Sequence, residues 1–131
     1  MQNGFRITET IPARAADVYA AWLSSQGHTD MTGSPAQVNG RVGGKFSAWD
    51  GYIIGTTLEL TPDQRIVQAW RTSEFPEEAP DSHLEILIEE TNGTTTLTLI
   101  HRDLPSEQVP SYLQGWQDFY FNPMKKYFGG K

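Results

Sequence analysis

Three histidines and no cysteine bound the chemistry this chain can do near neutral pH. His101 closes the stretch TTTLTLIHR in the phase of Leu97 and Leu99, so strict alternation turns it inward as an acid or base facing a cavity. One residue of bulge would reverse it, leaving a strand-end histidine bonded to a neighbour. His28 and Asp30 form an H-x-D pair in a turn-rich segment, but no HxxxH or HExxH accompanies them and His83 lies far along the chain. No metal site is expected from such a set. There is no GxSxG and no clear Ser/His/Asp set, so His101 is the one weak catalytic candidate, and no cofactor is implied.

The glycines of GGKFSAWDGYIIG raise a second chemistry, a phosphate cradle. A Walker-type loop needs GxxxxGK[ST], whereas Asn39 stands at the first glycine position and Phe46 follows Lys45. Punctuation in a sheet is the better reading. Asp50-Gly51 suits a two-residue hairpin turn, and Gly55 marks a bulge or a bend where the sheet curls around something.

The elements that must position these residues follow from periodicity. FRITET reads as a short strand, and PARAADVYAAWLSS as a helix with Pro12 in its first turn. Residues 25–40 give a short second helix or turn and a brief strand near Ala36 to Val38. KFSAW, YIIGTTLEL and RIVQAWRT alternate with period two, placing Ile66, Gln68 and Trp70 on one face. The Trp70 indole belongs in the core and Arg71 beside an acidic partner, while Glu59 faces water. SHLEILIEE and TTTLTLIHR, joined by Asn92-Gly93, bury Leu84, Ile86, Ile88, Leu97 and Leu99. SEQVPSYLQGWQDFYFNPMKKYFGG is a long amphipathic helix, capped by Ser106 and kinked at Pro123. Its stripe is Leu113, Trp116, Tyr120, Met124 and Tyr127, with Phe119 beside it.

Composition narrows the function classes. With 131 residues, 37% of them hydrophobic, the chain reads as a single domain over 1–131. Sixteen acidic against ten basic residues give a net charge of -6, which opposes binding to nucleic acid or to an anionic membrane. No apolar run approaches a membrane span, and the N-terminus carries no signal core, so a soluble, unprocessed protein is expected. The absence of cysteine fits a cytoplasmic location.

An α+β plan emerges: strand, helix or helices, a run of about six antiparallel strands, then a long C-terminal helix. At this point RVGGKFSAWDGYIIGTTLELTPDQRIVQAWR, HRDLP and GWQDFYFNPMKKYFG resemble the C-terminal domain of the activator of heat-shock protein 90 ATPase. The likeness covers nearly the whole chain. It implies the α+β helix-grip fold of START-like and birch-pollen-allergen-like proteins, a curved antiparallel sheet of about six or seven strands wrapped around the C-terminal helix. It also implies a superfamily that mainly binds apolar molecules between helix and sheet, and supplies no catalytic residues. In the eukaryotic co-chaperone a separate N-terminal domain makes the main chaperone contact. The expectation is therefore a binding protein that holds an apolar small molecule, with Tyr52, Trp70, His101, Trp116, Phe119 and Tyr120 as lining groups. A chaperone partner is the alternative, and an enzyme acting through His101 a second one.

Overall fold

The computed structural model describes residues 3–129. In chain order the elements are β1 (Phe5–Ile11), α1 (Ala15–Trp22), α2 (Ser25–Thr32), β2 (Gln37–Val38), β3 (Lys45–Ala48), β4 (Ile53–Thr61), β5 (Arg65–Thr72), β6 (Ser82–Thr91) and β7 (Thr94–Arg102). A short 3-10 turn, Ser106–Gln108, leads into α3 (Val109–Trp116), which runs through a π-helical turn (Gln117–Phe121) into α4 (Asn122–Gly129). The seven strands form one antiparallel sheet in the order β1-β7-β6-β5-β4-β3-β2. This is the helix-grip arrangement, an open sheet with its C-terminal helix packed across one face.

Strict alternation makes that face. β6 buries Ser82, Leu84, Ile86 and Ile88, and β7 buries Thr95, Leu97, Leu99 and His101. Trp22, Met31, Trp116, Tyr120, Phe121 and Met124 close over them from the helical side. Each fully buried aliphatic side chain of this kind contributes about 1.5–3 kcal/mol by leaving water.

Several local expectations need correction. Helix α1 begins at Ala15, three residues past Pro12, because its cap arrives from another element: the Glu90 carboxylate accepts from the Ala15 N–H at 2.9 Å. Gly55 is not a bulge. It pairs in register with Phe46 and Trp70, and a Cβ there would lie 2.0 Å from the Ala69 carbonyl and 2.5 Å from the Phe46 ring. The bulge falls three residues later, between Thr57 and Glu59, leaving Leu58 exposed. The Gly43-Gly44 amides serve the sheet rather than an anion: Gly43 donates to the Thr57 carbonyl and Gly44 to that of Arg41. Ser106 lies inside the 3-10 turn, whose N-cap is Pro105.

The C-terminal stripe is also shifted by one residue at both ends, with Phe128 buried where Tyr127 was expected. Tyr112 is buried where Leu113 was expected, and Leu113 is exposed. The buried series Tyr112, Trp116, Tyr120, Met124 and Phe128 advances by fours, whereas an α-helix returns after about 3.6 residues. The π turn absorbs the difference. Its last bond runs from the Asn122 N–H to the Gln117 carbonyl, i to i−5, just ahead of Pro123, which has no N–H to give. Pro123 thus widens the helix by one residue and keeps the aromatic stripe facing the sheet.

Candidate functional site

Between α3, its π turn, β5 and the β3-β4 connection lies a cavity of about 540 Å³, open to solvent on one side. Seven of its lining side chains are aromatic; the other four lining residues are Ile53, Glu74, Ser111 and Gly115. Trp70 comes from β5, while Trp116 and Tyr120 sit one helical turn apart. Their rings form a continuous wall, 5.7 Å between the Trp70 and Trp116 centroids and 4.7 Å between Trp116 and Tyr120. Trp22 stacks behind Trp116 at 6.1 Å and fixes the indole from the far side.

The mouth is shaped by a turn the sequence reading shortened. Ala48 pairs with Ile53, so Trp49, Asp50, Gly51 and Tyr52 form a four-residue connection rather than a two-residue one. Trp49 and Asp50 both take left-handed φ angles, 55° and 57°, followed by Gly51 at 89°. A bulky tryptophan in that region is an outlier that costs of order 1–3 kcal/mol and persists only where its surroundings hold it. Here the Asp50 N–H is tied to the Pro35 carbonyl, and the Trp49 ring packs edge-on against Phe119 at 5.3 Å. Phe119 itself is 53% exposed at the rim. The Trp49 Nε1 is buried on the side of the Tyr120 hydroxyl.

One end of the cavity is polar and its bonds form a closed circuit. Thr72 donates to the Tyr112 hydroxyl at 2.6 Å, Tyr112 donates to Gln108 Oε1 at 2.6 Å, and Gln108 Nε2 donates to the Glu74 carbonyl at 2.8 Å. The Glu74 N–H returns to Thr72 Oγ1 at 3.1 Å. Tyr52 donates to the Glu74 carboxylate at 3.1 Å. Burial pushes the Tyr112 hydroxyl up to about 12 and raises those of Tyr52 and Tyr120, so the phenols stay protonated donors.

Of the six residues expected to line a cavity, Tyr52, Trp70, Trp116, Phe119 and Tyr120 meet here. His101 does not. Strand phase does turn it inward, but it is fully buried behind Trp70 and Trp116, with ring centroids 4.6 and 5.8 Å away. The Trp116 indole donates to His101 Nδ1 at 3.1 Å, so the ring's proton sits on Nε2 and donates to Ser82 Oγ at 2.8 Å; Ser82 passes its own to the Trp70 carbonyl. Burial, with a smaller repulsion from His83, lowers its pKa to about 3. A neutral, fully bonded imidazole shielded from the cavity is a structural pin rather than an acid or base.

His28 belongs to the core as well. Its Nδ1–H donates to the Trp22 carbonyl at 3.0 Å, and Nε2 accepts from Tyr120 at 2.8 Å, while burial lowers its pKa. Asp30 points outward to Gln26. Among the described residues no group of three or more His, Asp or Glu side chains is placed to hold a metal ion. Arg71 meets Asp81 at 2.9 Å, and Glu59 pairs with Arg65 at 2.7 Å on the outer surface.

The sequence reading missed Trp49, Tyr112 and Glu74. Tyr112 was recoverable, since it stands four residues before Trp116 as Trp116 stands before Tyr120. Trp49 and Glu74 were not, because each lies in a connection whose shape is set by tertiary contacts.

Comparisons with known proteins identify the family. The family model described as Activator of Hsp90 ATPase homolog 1-like protein matches residues 12–129. The human activator of 90 kDa heat shock protein ATPase homolog 1 is 29% identical over 123 residues, which is 94% of this chain and 36% of that protein. The chain thus spans about a third of the curated relatives it matches. The crystal structure of an HSP90 activator from Plasmodium falciparum superposes with a TM-score of 0.84 at 25% identity, covering 97% of this chain and 96% of that one. Ara h 8.0201 shares the fold alone, with a TM-score of 0.76 at 12% identity over the full length of both chains.

Proposed function

The chain belongs to the Activator of Hsp90 ATPase homolog 1-like family, and from that premise we propose that it acts by non-enzymatic binding of an apolar small molecule in the cavity between the sheet and the C-terminal helix. The observation that carries this reading is the cavity itself. Its volume of about 540 Å³ lies within the range of small-molecule sites, and its walls are aromatic with a few placed polar groups. Its aromatic side chains pack edge to edge as a wall and leave that volume between them. Bond chemistry has less support. His101 is neutral and hidden, and the titratable groups that do meet in the lining, Tyr52 and Glu74, pair an exposed carboxylate with a phenol whose pKa burial raises, a weak acid for work near neutral pH. The test is native mass spectrometry of protein purified from its own source, followed by extraction. A reproducible retained small molecule is the expected result, and a protein that carries none and binds Nile red without saturation would refute the reading.

A second reading has its own observation. A protein named as an HSP90 activator matches this chain over nearly the length of both. On that reading the chain is a co-chaperone module that stimulates a heat-shock protein 90 ATPase. Used alone, the chain would bring one contact where a two-domain activator brings two. It would then lack an avidity gain of roughly a hundredfold or more. ATPase assays at micromolar concentration, with a two-domain activator as control, should show little stimulation; strong stimulation would promote this reading above the first.

A further inference from the structure

We infer that the cavity selects a hydrophobic organic cation, an apolar body carrying a protonated or quaternary amine. This rests on the cavity being a ligand site and adds the charge of what it takes. The lining contains a carboxylate, Glu74, and no Lys, Arg or His. Among the described residues Glu74 forms no ion pair, and the Tyr52 hydroxyl is the donor its carboxylate receives. The cation closest to it in sequence is committed elsewhere: the Arg71 guanidinium donates to the Pro76 and Ala79 carbonyls and to Asp81, and lies over the Phe75 ring. An uncompensated negative charge therefore stands at the mouth of a chamber walled by Trp49, Tyr52, Trp70 and Trp116.

Those rings add the second half of the argument. The face of an indole or phenol carries negative quadrupole density and attracts a cation within about 6 Å of its centroid. An aromatic chamber with a carboxylate at its rim thus offers an ammonium group two attractions of the same sign. A fatty acid or other anion would meet the reverse, with no lining cation to neutralise its charge. The net charge of -6 steers approaching ligands in the same direction.

The test compares three probes that share a naphthylmethyl body by tryptophan fluorescence and calorimetry: naphthylmethyl-trimethylammonium, its neutral carbon isostere neopentylnaphthalene, and the anionic naphthylacetate. Glu74 is exposed, so Glu74→Gln and Glu74→Lys should fold normally. Glu74→Gln should weaken the ammonium probe about fivefold at low salt, an effect that shrinks as salt is added, and leave the neutral isostere unchanged. Glu74→Lys should weaken the ammonium probe further and strengthen naphthylacetate. If the probes bind saturably and both substitutions alter all three equally or not at all, the cation inference falls while the cavity reading stands. If none of the three binds saturably, the cavity reading fails and the inference with it.

Discussion

Gly115 offers a substitution whose effects on stability and on binding should have opposite signs. It sits inside α3 one residue before Trp116, and a Cβ built on it meets nothing closer than the Phe119 ring at 3.8 Å. The side chain of Gly115→Leu would therefore enter the cavity without displacing backbone. Leucine is favoured over glycine in a helix interior by about 0.8 kcal/mol. Partial burial of its side chain against the aromatic wall adds about 1 kcal/mol, roughly half of what full burial gives. The overpacking that usually punishes small-to-large changes is absent because the space is open. The melting temperature should rise by about 5 °C, while the affinity for an apolar probe such as Nile red should fall by at least about tenfold, since the leucine occupies part of the ligand's volume. Differential scanning fluorimetry and a probe titration on the same preparation read both effects. A lower melting temperature would refute the placement of Gly115. A higher one with unchanged probe affinity would show that ligands bind elsewhere.

Trp116→Ala should cost about 3–5 kcal/mol in chemical denaturation, because it empties the centre of the aromatic wall and leaves His101 Nδ1 without its donor; an unchanged midpoint would contradict the helix orientation. Stability should fall with acid below neutrality, since His101 titrates near 6.5 when unfolded and near 3 when folded. Between these values the unfolded state binds the extra proton, so the contribution is complete above pH 6.5 and drains away as pH falls toward 3. His101→Asn should flatten the slope of denaturation free energy over that window relative to the wild type, and an unaltered slope would count against a neutral buried imidazole. Glu90→Gln keeps an acceptor for the Ala15 N–H but removes the charge at the N-terminus of α1, and should cost about 0.3–1 kcal/mol, less than Glu90→Ala; equal losses would mean that Glu90 does not act as the cap.

The strand plan was legible because each strand buries one face, and a period of two is hard to mistake when Leu84, Ile86, Ile88, Leu97 and Leu99 occupy alternate positions. The same rule correctly turned Trp70 and His101 inward. It failed where a single residue interrupts the ladder. The bulge at Leu58 lies in a run of ordinary strand formers, whereas Gly55, the residue that looked irregular, keeps perfect register because the Phe46 ring needs its missing Cβ. Likewise α1 could not be started correctly from its own residues, since its cap is supplied by Glu90 across some seventy-five positions of chain.

The site was legible to the extent that it rests on those regular elements. Trp70, Trp116 and Tyr120 are fixed by strand and helix phase, and phase is written in spacing. What the spacing left out is the difference between lining a cavity and standing behind its wall. His101 on β7 and Trp70 on β5 both point inward from the same face of the sheet, yet only Trp70 reaches open space, because the Trp116 indole bonds to the imidazole and covers it. The hydrogen bond that satisfies His101 therefore also removes it from the chemistry. Its place at the cavity is taken by Glu74, an exposed loop residue in no periodic pattern, held at the mouth by the bond from its own N–H to Thr72 and by the Tyr52 hydroxyl. Strand and helix periodicity thus sets the apolar volume of the cavity, while its charge is set in the connections, where a backbone turn rather than a repeat decides which side chain faces the open space.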